Sequence, residues 1–154
     1  MDFLNSLVDH FKTRVHTLEY AKDFFDGFEM WFQIETIASL KKSNVDISVD
    51  DKIKADSDVI IIIDKEPIGI ELKAWKQSHS SNVLNDAFKH KKADYYLILA
   101  EKCPRIFEYL TKHQVKHNFY PQLYDVHDNW MLILGANPQL TSAPKPLDIR
   151  TYFS

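Results

Sequence analysis

Three residues whose types suit metal-assisted hydrolysis stand at the ends of two adjacent apolar segments. Asp58 comes directly before the apolar run 59–63, while Glu71 and Lys73 end the alternating segment 68–73. Carboxylate oxygens bind hard cations such as Mg²⁺, and a lysine beside them can orient a water or balance the charge on a phosphate. This combination predicts the metal-assisted hydrolysis of a phosphodiester bond.

The elements that must position these residues are two strands joined by a turn. The run 59–63 is entirely β-branched, which is typical of a strand buried on both faces. The polar stretch 64–67 ends in a proline and predicts a hairpin turn before the strand 68–73. In an antiparallel hairpin the outer ends lie side by side. We therefore expect Asp58 to lie beside Glu71 and Lys73.

Two short segments carry a resemblance to a known family. Ser57-Asp58-Val59-Ile60-Ile61 and Ile70-Glu71-Leu72-Lys73-Ala74-Trp75 resemble the PD-(D/E)XK nuclease superfamily, which includes many restriction endonucleases and repair nucleases. The resemblance extends over about residues 17–100, and its motifs are short. Ser57 replaces the proline of the family name, and Asp58 is preferred to Asp56 because it adjoins the strand.

The resemblance implies a site and a fold. Asp58, Glu71 and the backbone carbonyl of Leu72 would ligate Mg²⁺, with Mn²⁺ as a substitute, and Lys73 would position the attacking water. The implied fold is restriction-endonuclease-like α/β, with a central mixed sheet of about five strands flanked by helices on both faces.

Family members also tend to carry a glutamate on the helix before the first motif strand, and this chain offers Glu29 and Glu35 there. Such a residue would bind a second metal ion or hold a water at the metal. Glu35 shares a helix face with Phe28, Trp31 and Phe32, whereas Glu29 lies on a mixed border. A carboxylate on an apolar stripe is costly unless it is paired or bound to metal. Glu35 is therefore preferred, and Glu29 stays open as the alternative.

Basic residues suggest where a nucleic acid would lie, although the formal net charge is −3. DNA affinity depends on lysine and arginine, so the net charge weighs against DNA and the local clusters weigh for it. Further polar candidates near the site are Gln77, Asp86 and Lys89, the last of which also belongs to a basic cluster. The candidate DNA-contacting lysines are Lys41, Lys42, Lys89, Lys91 and Lys92.

Composition indicates an ordinary globular chain. With 154 residues and 45% hydrophobic residues, we expect one domain over 1–137 and an extended tail over 138–154. A single cysteine, Cys103, precludes an internal disulfide and favours a cytoplasmic protein. No signal peptide is evident, and no apolar run reaches the length of a membrane helix.

The remaining elements follow from hydrophobic periodicity and from turn residues. Ser81 or Asn82 is expected to cap a helix that ends near Lys92. His113 and His117 have the spacing of a zinc-protease helix, but Gln114 replaces the required glutamate and the segment looks strand-like. Helices are also expected over 2–20, 22–42 and 105–113, and strands over 45–49, 94–100, 115–120, 122–127 and 129–135.

The expected function is a Mg²⁺-dependent nuclease that hydrolyses DNA, as an endonuclease of restriction, phage defence or DNA repair. Cutting of both strands would favour a homodimer or a partner subunit. The alternatives are a non-catalytic module that binds nucleic acid or protein with the same fold, and a small interaction protein in which Glu71 and Lys73 form a surface salt bridge.

Overall fold

The computed structural model describes residues 3–23, 27–48, 57–88, 93–117 and 119–138. Within these ranges the helices are α1 (Phe3–Thr13), α2 (Val15–Ala21), α3 (Gly27–Lys42), α4 (Ser81–Ala87) and α5 (Pro104–His117). The strands are β1 (Ile47–Ser48), β2 (Val59–Ile63), β3 (Glu66–Trp75), β4 (Tyr95–Glu101), β5 (Gln122–His127) and β6 (Trp130–Ala136).

The strands form one six-stranded mixed sheet in the order β1-β2-β3-β4-β6-β5. Strand β3 pairs with β2 in the antiparallel sense and with β4 in the parallel sense. The parallel pair requires a crossover connection, and this connection contains α4. The longest strand, β3, is therefore a central strand with a bonded neighbour on each side.

Helices cover both faces of this sheet. On β3 the side chains of Ile68, Ile70 and Leu72 enter a core with α1, α2 and α3, because alternate residues of a strand share a face. Trp75 belongs to the opposite face and packs in a second core with residues of α4 and α5. The described part of the chain is thus an α/β protein with five helices packed against a mixed sheet, as expected, and its six strands agree with the expected number of about five.

The hairpin that was predicted at 57–73 is present with a tighter turn. Only Asp64 and Lys65 lie in the turn, since Ile63 pairs with Glu66, and Pro67 already belongs to β3. The φ angles of Asp64 and Lys65 are 50° and 69°. Positive φ at both central residues is the requirement of a type I′ turn, whose twist matches that of the flanking strands.

The strand expected over 115–120 is wrong. Helix α5 continues to His117, and Phe119 turns back into the core instead of extending along a strand. Its ring occupies the space above Gly135, where an added Cβ would lie 2.2 Å from a ring carbon of Phe119. Core packing thus explains Phe119, whereas Tyr120 is exposed, and the ring of His113 is hydrogen-bonded to the Tyr109 hydroxyl.

Two helix boundaries also differ from expectation. The helix expected over 2–20 is broken at Arg14, which separates α1 from α2. The residue that precedes α4 is Ser80 rather than Ser81 or Asn82, and its side chain makes no capping hydrogen bond. The expected end of that helix near Lys92 and all but the first residue of the tail expected over 138–154 lie outside the described residues.

Candidate active site

The hairpin brings Asp58 beside Glu71, as the sequence predicts. Val59 pairs with Ile70, so one further step of the antiparallel register places Asp58 next to Glu71. The backbone N–H of Leu72 donates to Asp58 Oδ2 at 2.9 Å. The aspartate side chain thus continues the hydrogen bonding between the strands and is fixed in place at the end of β2.

Glu71 is buried, with 5% of its surface exposed. Burial raises the pKa of Glu71 to about 9, and the neighbouring Asp58, by its charge and by a hydrogen bond to Glu71, raises this pKa further in the same direction. The charge of Glu29 also raises the pKa, whereas Lys73 opposes the shift. Glu71 therefore retains its proton near neutral pH, because ionisation of a buried carboxyl group beside another carboxylate is unfavourable.

The lysine of the site is held by a glutamate of α3. Lys73 Nζ lies 3.2 Å from Glu29 Oε1, and the two side chains are 16% and 38% exposed. Glu29 is in the first turn of α3, where a negative charge is favoured by the helix dipole. Asp58, Glu71, Lys73 and Glu29 together form the carboxylate–lysine cluster.

The structure places Glu29, rather than the preferred Glu35, beside Lys73. Glu35 is indeed partly buried, but its carboxylate accepts from Arg14 Nη2 at 2.9 Å and lies 2.6 Å from His10 Nε2. A carboxylate on an apolar stripe needs a partner, and Glu35 finds its partners in His10 on α1 and in Arg14, the residue after α1. Glu29 is the α3 glutamate that joins Lys73.

We expect Glu35→Gln to lower the free energy of unfolding by about 1–2 kcal/mol, because Arg14 and His10 lose the charge that they contact. Chemical denaturation measures this change. The same substitution should leave any hydrolytic activity within about threefold of the wild type, a range that corresponds to less than 1 kcal/mol. A selective loss of activity with unchanged stability would return Glu35 to the site.

Other expected residues are less closely placed. Leu72 lies between Glu71 and Lys73 with its side chain in the core below α1 and α3, and the role of its carbonyl as a metal ligand stays a prediction. Gln77 and Asp86 are exposed, the first in the loop after β3 and the second on α4. Lys41 and Lys42 are exposed at the end of α3, whereas Lys89, Lys91 and Lys92 lie outside the described residues.

A groove of about 410 Å³ lies between α1 and α3, away from the carboxylate–lysine cluster. Its lining is polar and includes Lys42, Asp9 and His10. His10 Nε2 is the atom that contacts Glu35. The groove is therefore a separate feature of the α1–α3 surface.

Tyr96 and His79 also lie near this cluster, and the motif itself predicts neither of them. Tyr96 pairs with Glu71 in the parallel register of β3 and β4, and burial together with the charge of Glu71 raises the pKa of Tyr96. His79 is close enough to Lys73 and Glu29 for both charges to act on its ring. Tyr96 gives no signal in sequence because its proximity depends on strand pairing, whereas His79 follows the motif strand by only a few residues.

The donor set suits a hard divalent cation. In the described part of the chain, no three or more His, Cys, Asp or Glu side chains cluster as a preformed metal centre. Mg²⁺ is commonly held by one or two carboxylates together with waters and substrate phosphates, so it does not require such a centre. The close pair Asp58 and Glu71, in which burial and then the charge of Asp58 raise the pKa of Glu71, fits this mode of binding.

Comparison of the chain with protein-family models, with curated proteins and with solved structures finds no match in any of the three. The helices of the described ranges are too short or too polar for any of them to span a membrane. The fold defines the class of the protein, which is an α/β protein with a six-stranded mixed sheet.

Proposed function

We propose that this protein is a Mg²⁺-dependent nuclease that hydrolyses phosphodiester bonds in DNA. The observation that carries the proposal is that Asp58 lies beside the buried Glu71 at the end of the β2–β3 hairpin. Lys73 is two residues further along β3. A pair of hard oxygen donors beside a cation is the combination that phosphoryl hydrolysis needs.

Each residue of the cluster has a role in this proposal. Asp58 and Glu71 would hold the cation, which supplies charge stabilisation at the phosphate when it is bound. Lys73, oriented between α3 and β3 by its contact with Glu29, would face the anionic phosphate. The parallel strand β4 and the second core behind Glu71 exclude water from the buried side.

The direct test is the cleavage of supercoiled plasmid and of single-stranded DNA in Mg²⁺ or Mn²⁺, with EDTA as the metal-free control. A double variant, Asp58→Asn with Glu71→Gln, purified in parallel, reports contaminating nuclease. Metal-dependent cutting by the wild type alone supports the proposal. Absence of cutting on every DNA form and on RNA, in both metals, would sink it.

A second measurement follows from competition between protons and the cation at Glu71. Because the pKa of Glu71 is raised to about 9, metal binding must displace a proton, and the affinity for metal should rise with pH. We expect Mg²⁺ or Mn²⁺ to increase the melting temperature more at pH 8 than at pH 6. At a concentration about 100 times Kd, the gain in unfolding free energy would be about 2.7 kcal/mol.

The matched control for this measurement is Glu108→Gln, since Glu108 is an exposed glutamate of α5. Glu108→Gln should keep the metal-induced rise, whereas Glu71→Gln should lose it. An equal rise in both variants would place the metal elsewhere.

One observation favours a different function. Lys73 is already paired with Glu29 in a salt bridge, as a non-catalytic module with the nuclease-like fold would also show. Such a module would bind nucleic acid or protein without metal. DNA binding that is equally strong in EDTA and in Mg²⁺, combined with no cleavage, would support this second function.

A further inference from the structure

The loop that follows β3 is held in place by a residue of α5. Arg105, near the start of α5, donates through Nη2 to the backbone carbonyls of Gln77 and His79. Its guanidinium also lies over the ring of Trp75, 5.1 Å from the ring centroid. A single arginine thus links the last residue of β3 to two carbonyls of the loop 76–80.

The same loop has further attachments at both ends. The backbone N–H of Gln77 donates to Glu101 Oε1 at 2.8 Å, and Trp75 Nε1 donates to the carbonyl of Ser80 at 3.1 Å. The backbone N–H of His79 donates to the carbonyl of Lys76 at 2.9 Å and closes a turn. So many contacts for a five-residue loop indicate that its conformation, and with it the place of the His79 side chain, is fixed.

The His79 ring has a defined tautomer and a defined charged environment. His79 Nδ1 accepts from the backbone N–H of Lys76 at 3.4 Å, so in the neutral ring the proton is on Nε2. Burial lowers the pKa of His79, Lys76 and Lys73 lower it further, and Glu29 opposes them. Arg105 meets the residue only at its carbonyl. At neutral pH the ring is therefore an uncharged donor that lies near enough to Lys73 and Glu29 for their charges to act on it.

We propose that His79 contacts the substrate strand, where its Nε2–H donates to a phosphate oxygen, and that Arg105 is the positioning residue that holds the His79 loop. This inference rests on the proposed nuclease function, since the acceptor is the phosphodiester of the nucleic acid that Lys73 faces. A neutral donor beside two lysines adds a directional hydrogen bond without a further charge that would repel a bound cation. Its action is on substrate binding, whereas the carboxylate pair acts on hydrolysis.

Two isosteric substitutions separate substrate contact from a role in the turn. In His79→Asn the side-chain oxygen can replace Nδ1 as the acceptor from Lys76, but the distal donor is lost. In His79→Gln the side-chain amide can reach the place of Nε2–H, but the acceptor for the turn is lost. Substrate contact predicts that the asparagine variant is the more defective of the two, and a purely structural role predicts the reverse order.

The measurements are kcat and KM for single-stranded DNA in Mg²⁺, together with the Kd of a short fluorescent oligothymidylate in EDTA. We expect His79→Asn to raise KM and Kd on the order of tenfold with kcat near the wild-type value, which is the size of a lost hydrogen bond to a charged group. His79→Gln should recover most of this loss. In addition, binding of the oligonucleotide should raise the pKa of His79, because a nearby anion favours imidazolium. NMR titration of the ring measures this pKa.

Arg105→Lys keeps the positive charge but loses the paired donation to two carbonyls. It should raise KM in the same direction, and the double variant with His79→Asn should be no worse than His79→Asn alone, since both act through one contact. Wild-type-like KM and Kd in both His79 variants would overturn this inference, as would a larger defect in His79→Gln than in His79→Asn. In either case, cleavage by the wild type would still support the nuclease function. A wild type that neither cuts nor binds DNA would overturn both together.

Discussion

Lys73→Ala should lower kcat for metal-dependent DNA cleavage by about 10²–10³-fold, the usual cost of removing one preorganised group that stabilises transition-state charge. Lys73 is only 16% exposed and is held 3.2 Å from Glu29, so its ammonium is fixed beside the carboxylate pair. KM should change much less, because the charge on the phosphate grows towards the transition state. Steady-state kinetics on a fluorescent oligonucleotide give both constants.

Two further variants show whether position or charge of Lys73 matters. Lys12→Ala removes an exposed lysine of α1 and should cleave at the wild-type rate. Lys73→Arg keeps a positive charge but changes its shape and reach, and it should recover only part of the lost rate. Cleavage by Lys73→Ala within a few-fold of the wild type, with an unchanged melting temperature, would contradict the role given to this lysine.

The local part of the site could be predicted from the sequence because it depends on a short hairpin. Asp58 and Glu71 meet through pairing between adjacent strands, and the alternation of Ile68, Ile70 and Leu72 already indicates which face of β3 is buried. The α/β class follows from the same periodicity, since strands that are covered on both faces need helices on both sides.

The helix contribution to the site could not be predicted in the same way. Glu29 and Glu35 differ by six residues on one helix, and the choice between them depends on what lies opposite each of them in space. Glu35 meets Arg14 and His10 only because α1 packs against α3, whereas Glu29 meets Lys73 across the end of β3. Periodicity predicts which residues of a helix are buried, but the partner comes from the packing of separate elements.

The strand that was wrongly expected over 115–120 has a related cause. A segment with Val115, Phe119 and Tyr120 has the composition of a strand, yet α5 extends through its first part to His117. The ring of Phe119 then fills the space left by Gly135 on β6. This contact between residues distant in sequence overrides the local preference, and no local pattern reports it.

The buried carboxyl group of Glu71 should make the metal-free protein lose stability as the pH rises. Its pKa is raised from 4.5 to about 9, so the folded state retains a proton that the unfolded chain releases above pH 4.5. The contribution is complete below the unfolded pKa and is lost as the pH rises through the folded pKa, at a limiting slope of about 1.4 kcal/mol per pH unit. Unlike glutamate, a glutamine at this position would carry no such dependence.

We therefore expect Glu71→Gln to abolish metal-dependent cleavage and to increase stability in EDTA. The gain should be below about 1 kcal/mol at pH 5 and about 3 kcal/mol at pH 7, which for a chain of this length corresponds to a rise in melting temperature of about 5 °C or more. Thermal denaturation of both proteins from pH 5 to pH 9 measures the difference, with Glu108→Gln as the exposed control that should follow the wild type. A pH-independent difference would mean that Glu71 ionises freely in the folded protein. A gain that grows with pH and disappears when Mg²⁺ is added to both proteins would instead show that the burial of Glu71 beside Asp58 is retained at a cost in stability, as a buried cation-binding carboxylate pair requires.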